Sequence, residues 1–460
     1  KLWASESWLW PISFVVFLWT TLEGFVLVSA TPDIFVAFFV FLIAALVLRF
    51  IRLGLEVHDV ALFAGVLGLG YLTKTVLLPI GLVAAAALAF ALRRERLFFR
   101  RALAAAALFT AIALVYAGAI SYKYGRFTYG ESGRFNFLWQ VNGVPVAYAT
   151  GAGTGEGALI NDYRKPEHGA LFVFDRRPIG TWPYWYDPGY WLEGLRPKFD
   201  GPAFVSLLKE NGRLLANYFW GELLALSAVA GILLFLAVAF RRAWAVGEVT
   251  QALWPAVAIS FAGFAGYAAL RIDHRYLGPF ASIIYVWAFF ALAPSAFAKF
   301  ARLALVFCAG MFLVQSTYTI TRIHELGGAQ FGFGAQDKFA SRHLRLEIAE
   351  DLQRLGLRPG DRIAAFTSAE RWQTPAFFWA KLAGVQIIAD FKPASGDPFD
   401  EFEKLSEAAR GSLLAELRRA GAIAIVAALT DEQRARATLE WKKAARSGHS
   451  VHFLSPPAHE

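Results

Sequence analysis

The sequence predicts a polytopic α-helical membrane protein with about nine spans, one large outer loop domain and a C-terminal soluble α/β domain. Hydrophobic residues fill 57% of the 460 positions and charged residues only 18%, far from a soluble globular balance. Nine apolar stretches precede residue 322, where about 20 apolar residues suffice for one span. Basic clusters close alternate stretches, as expected when Lys and Arg near span ends stay cytoplasmic.

The stretches run from Trp8 to Ser29, Ile34 to Leu48, Val60 to Leu72, Val76 to Leu92, Ala102 to Ile120, Tyr218 to Phe240, Ala252 to Leu270, Leu277 to Ala296 and Leu303 to Thr319. The third and fourth are short and read as a hairpin turning at Thr73, Lys74 and Thr75, with Pro79 close behind. The basic clusters are Arg49/Arg52, then Arg93, Arg94, Arg96, Arg100 and Arg101, then Arg241/Arg242 and Lys299/Arg302. They place residues 31–33, the Lys74 turn, 121–217, 271–276 and everything after about Arg322 on the outer side. Four domains follow: 1–120 with five helices, the loop domain 121–217, 218–322 with four helices, and 323–460. The expected address is the cytoplasmic (inner) membrane, crossed many times, with the loop and the C-terminal domain outside.

The formal charge of +9 needs no nucleic acid, because the cytoplasmic arginines meet anionic lipid headgroups. The single cysteine, Cys308, rules out an intrachain disulfide. The chain opens on Lys1 and its only methionine is Met311, so an upstream segment is expected. The first stretch has no signal-peptide pattern.

Within the loop, Arg126 to Gly157 reads as irregular structure with short strands. Thr181 to Trp191 is so rich in aromatic residues and proline that it suits either a membrane interface or stacking on sugar rings. Phe204 to Asn217 has the pattern of an amphipathic helix leading back to the bilayer. In the tail, a helix from Asp337 to Leu355 ends in a turn at Arg358 to Asp361. Strands are expected at Arg362–Phe366, Val385–Ala389, Ala422–Ala427 and Ser450–Leu454, and helices near Thr374–Leu382, Phe402–Arg419 and Asp431–Ala445. That alternation predicts a small parallel sheet, without a glycine-rich phosphate loop that would license a nucleotide.

Chemistry-bearing residues concentrate at Arg271 to Phe280, where Arg271, His274, Arg275 and Tyr276 precede a Gly278-Pro279 break. Guanidinium groups match phosphate oxygens in two-pronged fashion, so an anionic headgroup or pyrophosphate fits this set; snorkelling into lipid headgroups is the competing reading. Lys74 is either a second phosphate contact or an outer-surface cation, and Glu23 either a functional intramembrane carboxylate or a helix cap. Asp162, Asp175, Asp187, Glu193 and Asp200 could serve a divalent cation or act as a base, with Asp187 the most suggestive because it lies inside the aromatic block. His168, His324, His343, His449 and His452 show no metal-ligand spacing, and the last two read as a solvated strand edge.

Thr31-Pro32-Asp33-Ile34, the Gly70 to Lys74 turn, Trp185 to Pro188 followed by Tyr190 and Trp191, and His274 to Pro279 together resemble bacterial integral-membrane glycosyltransferases of the C superfamily. Protein O-mannosyltransferases and the lipid A aminoarabinose transferase are relatives of that group. The resemblance covers nearly all of the membrane region and extends to the C-terminal domain. It implies sugar transfer from a polyprenyl-phosphate donor to a glycan, lipid or protein acceptor at the outer face, with inversion at the anomeric carbon. A carboxylate base would activate the acceptor and cations would stabilise the departing lipid phosphate. On this likeness Arg271, His274, Arg275, Tyr276 and Lys74 belong to the phosphate end. The family's base lies in a first outer loop that this sequence does not contain. The alternatives are a transporter or flippase of lipid-linked glycans and a non-catalytic subunit of a membrane assembly.

Overall fold

The computed structural model describes residues 9–24, 32–143, 161–164, 170–174, 196–224, 246–292, 346–366, 378–392 and 397–455 except 446, with a few single helical positions between 226 and 317. The chain divides into two units, Lys1–Gly143 with Lys198–Glu325, and Val144–Pro197 with Leu326–Glu460.

The first unit is helical: α1 (Leu9–Gly24), α2 (Asp33–Leu53), α3 (Val57–Thr73), α4 (Leu77–Ala91), α5 (Arg96–Tyr124), α6 (Glu131–Gln140), α7 (Gly201–Asn217), α8 (Val246–Ala268) and α9 (His274–Leu292). Among the described residues, three helices are long and apolar enough to cross a membrane: Asp33–Leu53, Arg96–Tyr124 and Val249–Ala268. Helices α3 and α4 are shorter, 17 and 15 residues, and at 1.5 Å per residue reach only about 26 and 22 Å against a hydrocarbon core of about 30 Å. Their boundaries have local causes. Asp33 sits in the first turn of α2, where the helix dipole favours a carboxylate, and Gly54 ends that helix at φ 86°. Glu56 and Asp59 form a reciprocal cap that starts α3. Pro79 falls in the first turn of α4, where no intrahelical N–H is needed.

Short links join α2 to α5, so successive helices reverse direction, and α2, α4 and α8 pack on one another while α1 packs on α9. The start of α2, the α3–α4 turn, the end of α5, the end of α8 and the start of α9 consequently meet at one end of the bundle. The core between them holds Val40, Val47, Phe50, Phe63, Leu67, Leu77, Ile80, Phe109 and Phe280, all essentially inaccessible.

The expected irregular stretch from Arg126 contains a helix instead. Gly130, at φ 153°, supplies the backbone angle that precedes α6, and a Cβ there would lie 2.0 Å from Thr75 Cγ2. Glu131 then occupies the first turn of α6. The sixth stretch opens as a π-helical turn, Tyr218–Glu222. The ninth lies almost wholly outside the described residues.

The second unit is built on one seven-stranded sheet, β1 (Asn161–Arg164), β2 (Ala170–Phe174), β3 (Arg362–Phe366), β4 (Gln386–Lys392), β5 (Ala424–Ala428), β6 (Lys442–Lys443) and β7 (His449–Phe453), in the order β1-β2-β4-β3-β5-β7-β6. The four expected tail strands appear within a few residues of their sequence positions. Only β4, β3 and β5 are parallel; β7 returns antiparallel to β5, and β2 from the loop segment pairs antiparallel with β4. Loop and tail thus share a sheet that the sequence assigned to two separate domains, because strand pairing over long separations leaves no local signature. The expected Phe402–Arg419 helix is two, Pro398–Lys404 and Glu407–Ala420, since the Ser406 hydroxyl accepts from Ala409 N and caps a new start. The expected Asp431–Ala445 helix stops at Ala435, and the chain continues into β6. The core between sheet and helices contains Phe366, Phe391, Phe399, Phe402, Leu413 and Leu417.

Candidate functional site

Three segments bring charge together at the end of the bundle described above. Asp33, from the first turn of α2, is 6% exposed. Its Oδ1 accepts from Lys74 Nζ at 2.6 Å, and its Oδ2 lies 3.7 Å from Arg275 Nε. Asp273, just before α9, faces the same guanidinium at 3.2 Å and accepts from the Arg275 backbone N–H at 3.4 Å. Arg275 donates to the Tyr276 hydroxyl at 3.0 Å. The Arg275 Nε itself is buried and lacks the alignment for a hydrogen bond.

Two tyrosines form the wall. Tyr267, at the end of α8, stacks on Tyr276 with ring centroids 4.7 Å apart and planes 15° apart. Lys74 Nζ stands 4.0 Å above the Tyr276 ring. The ammonium therefore has a carboxylate on one side and an aromatic face on the other. Burial pulls Lys74 below the usual lysine range by more than the Asp33 carboxylate restores. Among the described residues the buried Tyr267 hydroxyl has no hydrogen-bond partner, so its donor is unused.

A second patch borders the first. Arg271, in the α8–α9 turn, lies 4.3 Å over the Trp139 ring of α6, and among the described residues it makes no ion pair. The turn is fixed from α7: buried Asn211 donates to Ala268 O at 2.9 Å and accepts from Ile272 N at 3.2 Å. Helix α6 is fixed by Glu131, whose carboxylate takes Arg126 and Arg134 together. Burial pushes Glu131 up, but hydrogen bonds from Arg126 and Thr128 and the charges of Arg126 and Arg134 hold it below the usual carboxylate range.

No family model, curated protein or solved structure matches this chain.

Of the residues expected from sequence, Lys74, Arg275 and Tyr276 come together. Arg271 stands apart on Trp139, and the side chains of His274, Glu23 and Asp187, like the whole aromatic block 181–191, lie outside the described residues. Asp200 is an N-cap that accepts from Ala203 N at 2.9 Å. His449 is half-buried beside Trp379 rather than solvated, and burial lowers its pKa. Among the described residues no three His, Cys, Asp or Glu side chains are grouped as a metal site. Sequence reasoning missed the roles of Asp33, Tyr267, Trp139, Glu131 and Asn211. Only Asp33 had a local signal, a carboxylate at the mouth of an apolar stretch.

What the arrangement can do is bind an anion. Lys74, Arg271 and Arg275 against Asp33 and Asp273 leave one net positive charge. The start of α9 adds the N-terminal pole of a 19-residue helix. Because both Asp33 oxygens face cations, Asp33 orients Lys74 and Arg275 and is not placed as a free base.

Proposed function

We propose that this chain is a multi-pass membrane protein that binds a polyprenyl-phosphate-linked sugar and transfers the sugar to an acceptor hydroxyl at the outer face of the cytoplasmic membrane. On this reading all nine apolar stretches span, the Lys74 end of the bundle is the outer end, and the arginine-rich end is cytoplasmic. The single observation that carries the proposal is the buried Lys74–Asp33–Arg275 cluster at one end of an apolar bundle. A charge network in such surroundings is costly, and in membrane proteins it marks a functional site.

The supporting chemistry is charge balance. A lipid-linked sugar phosphodiester carries one negative charge; Lys74 and Arg275 are balanced by Asp33 and Asp273, and the charge that complements the phosphodiester is that of Arg271 on the bordering patch. When the anomeric C–O bond breaks, the departing lipid phosphate gains charge. Lys74 and Arg275, already oriented by Asp33 and Asp273, then stabilise that charge without reorganising. Tyr267, with its unsatisfied hydroxyl, is the candidate neutral donor to the same phosphate. The acceptor oxygen bonds to the anomeric carbon as the bond to the lipid phosphate breaks, and its proton passes to a carboxylate base that the cluster itself does not supply.

The test uses full-length protein in nanodiscs with a polyprenyl-phosphate sugar, following binding by native mass spectrometry and turnover by release of polyprenyl phosphate. Arg271→Gln is expected to weaken binding about tenfold, the loss of one charge-assisted contact. Asp33→Asn is expected to lower turnover at least about a hundredfold by misplacing both cations. Wild-type protein that neither binds the lipid nor releases it would reject the proposal. Binding without turnover would assign the chain to lipid carriage or assembly.

A further inference from the structure

Helix α7 carries an exposed apolar flank that the donor site does not use. Its inward face is the i, i+3, i+7, i+11 row of Phe204, Leu207, Asn211 and Leu215, of which Leu207 and Asn211 are buried and the other two half-buried. At 3.6 residues per turn, Leu208, Gly212, Val205 and Ala216 fall on a neighbouring arc about 80° wide, and all four are exposed. Lys209 and Arg213 come next around the helix, both exposed, while Glu210 lies on the far side and pairs with Arg213 at 2.8 Å. Lys198 adds exposed positive charge just upstream.

Three observations say what covers this flank. Asn211 ties α7 to the end of α8, a helix long and apolar enough to cross a membrane. Exposed aromatics, Tyr122, Phe127 and Phe199, sit on segments that lead to or from that end of the unit, the composition of a headgroup belt. The basic residues border the apolar arc directly, and basic side chains flanking an apolar face suit anionic lipid.

We propose that α7 is an interfacial helix: Val205, Leu208, Gly212 and Ala216 enter the headgroup–acyl boundary of an anionic bilayer, Lys209 and Arg213 meet lipid phosphates, and Asn211 thereby holds the Ala268–Ile272 turn at a fixed depth. That turn carries Arg271 and leads to Asp273 and Arg275, so the lipid surface sets the height of the donor-binding cations. The proposal rests on the membrane reading of this unit and not on the transfer reaction, and its test requires no turnover.

Full-length protein carrying Cys308→Ser receives one further substitution at a time: Val205→Cys, Leu208→Cys or Ala216→Cys on the arc, Ser206→Cys or Glu210→Cys off it. All five positions are exposed, so folding is retained, and gel filtration checks it. Each variant is labelled with bimane and reconstituted in phosphatidylcholine vesicles containing phosphatidylglycerol and brominated acyl chains. Arc labels are expected to be quenched at least about threefold more than the other two, as for a helix face buried about 5–10 Å deep. Equal quenching at all five positions overturns the proposal, and so does cross-linking of arc cysteines between copies, which would assign the flank to a second copy. In phosphatidylcholine alone the arc signal is expected to fall by about half; an unchanged signal overturns the anionic partner. Asn211→Leu is expected to raise hydrogen exchange at the Ile272 amide about tenfold while the arc labels keep their depth. Unaltered exchange there overturns the link from α7 to the turn.

Discussion

The two ends of the helical unit carry similar residue types in opposite circumstances. At the Lys74 end, charged side chains from three segments interlock with little solvent access: Asp33 6%, Lys74 21% and Arg275 28% of the side chain. At the other end, Arg49, Arg52, Arg93, Arg94, Arg96 and Arg100 are exposed, and Arg93 merely folds over Phe90 of its own helix. Two of the arginines there also find partners: Arg49 lies 3.7 Å from the buried Asp59 carboxylate, and Arg101 reaches Leu55 O at 2.7 Å and Glu56 at 3.2 Å. Charge density alone therefore does not mark a site. What distinguishes the first end is desolvation together with partners drawn from distant parts of the sequence, which makes each ion costly and each position fixed.

The comparison breaks most visibly at Lys74. Lys74→Met leaves Asp33 buried with one cation at 3.7 Å, and losing one member of a largely buried pair costs about 3 kcal/mol. Denaturant unfolding in detergent micelles should show that loss, and Lys74→Met with Asp33→Asn should recover most of it. An unaltered midpoint for Lys74→Met would mean the two ends do not differ. At Glu131 the expected cost is smaller, about 1–2 kcal/mol for Glu131→Gln, read by exchange in α6. Because Glu131 is held below its ordinary value, its contribution is present above pH 4.5 and lost as pH falls through the lowered value. Protection of α6 in the wild type should therefore weaken in acid and, in Glu131→Gln, should not depend on pH over that range.

The same sign reasoning applies to lipid-phosphate binding. Lys74, lowered by burial, loses its proton at a lower pH than a free lysine, so affinity should fall as pH rises, before pH 10.5 is reached. Lys74→Arg should remove that alkaline limb. The smallest effect is expected at the exposed end. Arg94→Gln and Arg96→Gln should each leave thermal stability in detergent micelles within about 0.5 kcal/mol of the wild type. A large stability loss there would erase the contrast.

The helices of the first unit were legible because apolar runs and their caps are local. The stretches expected at 34–48, 60–72, 76–92 and 102–120 each fall inside a helix or within a residue or two of one, and the Lys74 turn separates α3 from α4. Helix α6 was hidden because its sequence is rich in Gly, Asn and aromatics. Its support comes from Arg126 and Arg134 on Glu131, local pairs that the aromatic-rich pattern masked, and from Thr75 against Gly130, a contact that no local window shows. In the site, Arg275 and Tyr276 were found as a dense basic-aromatic run. Asp33 lies 41 positions from Lys74 and more than 240 from Arg275, so its place in the cluster could not be read from spacing. Trp139 and Asn211 bear no charge and gave no signal.

By itself the sequence determined that this is a chain of apolar helices with basic residues at alternate junctions and an alternating α/β tail, since hydrophobic period and length are properties of short windows. Only the tertiary structure decided that Lys74 and Arg275 share Asp33, that Arg271 stands apart on Trp139, and that a loop hairpin completes the tail's sheet. Those outcomes depend on which helix ends and strand edges meet, and each joins residues too far apart in the chain for local pattern to encode.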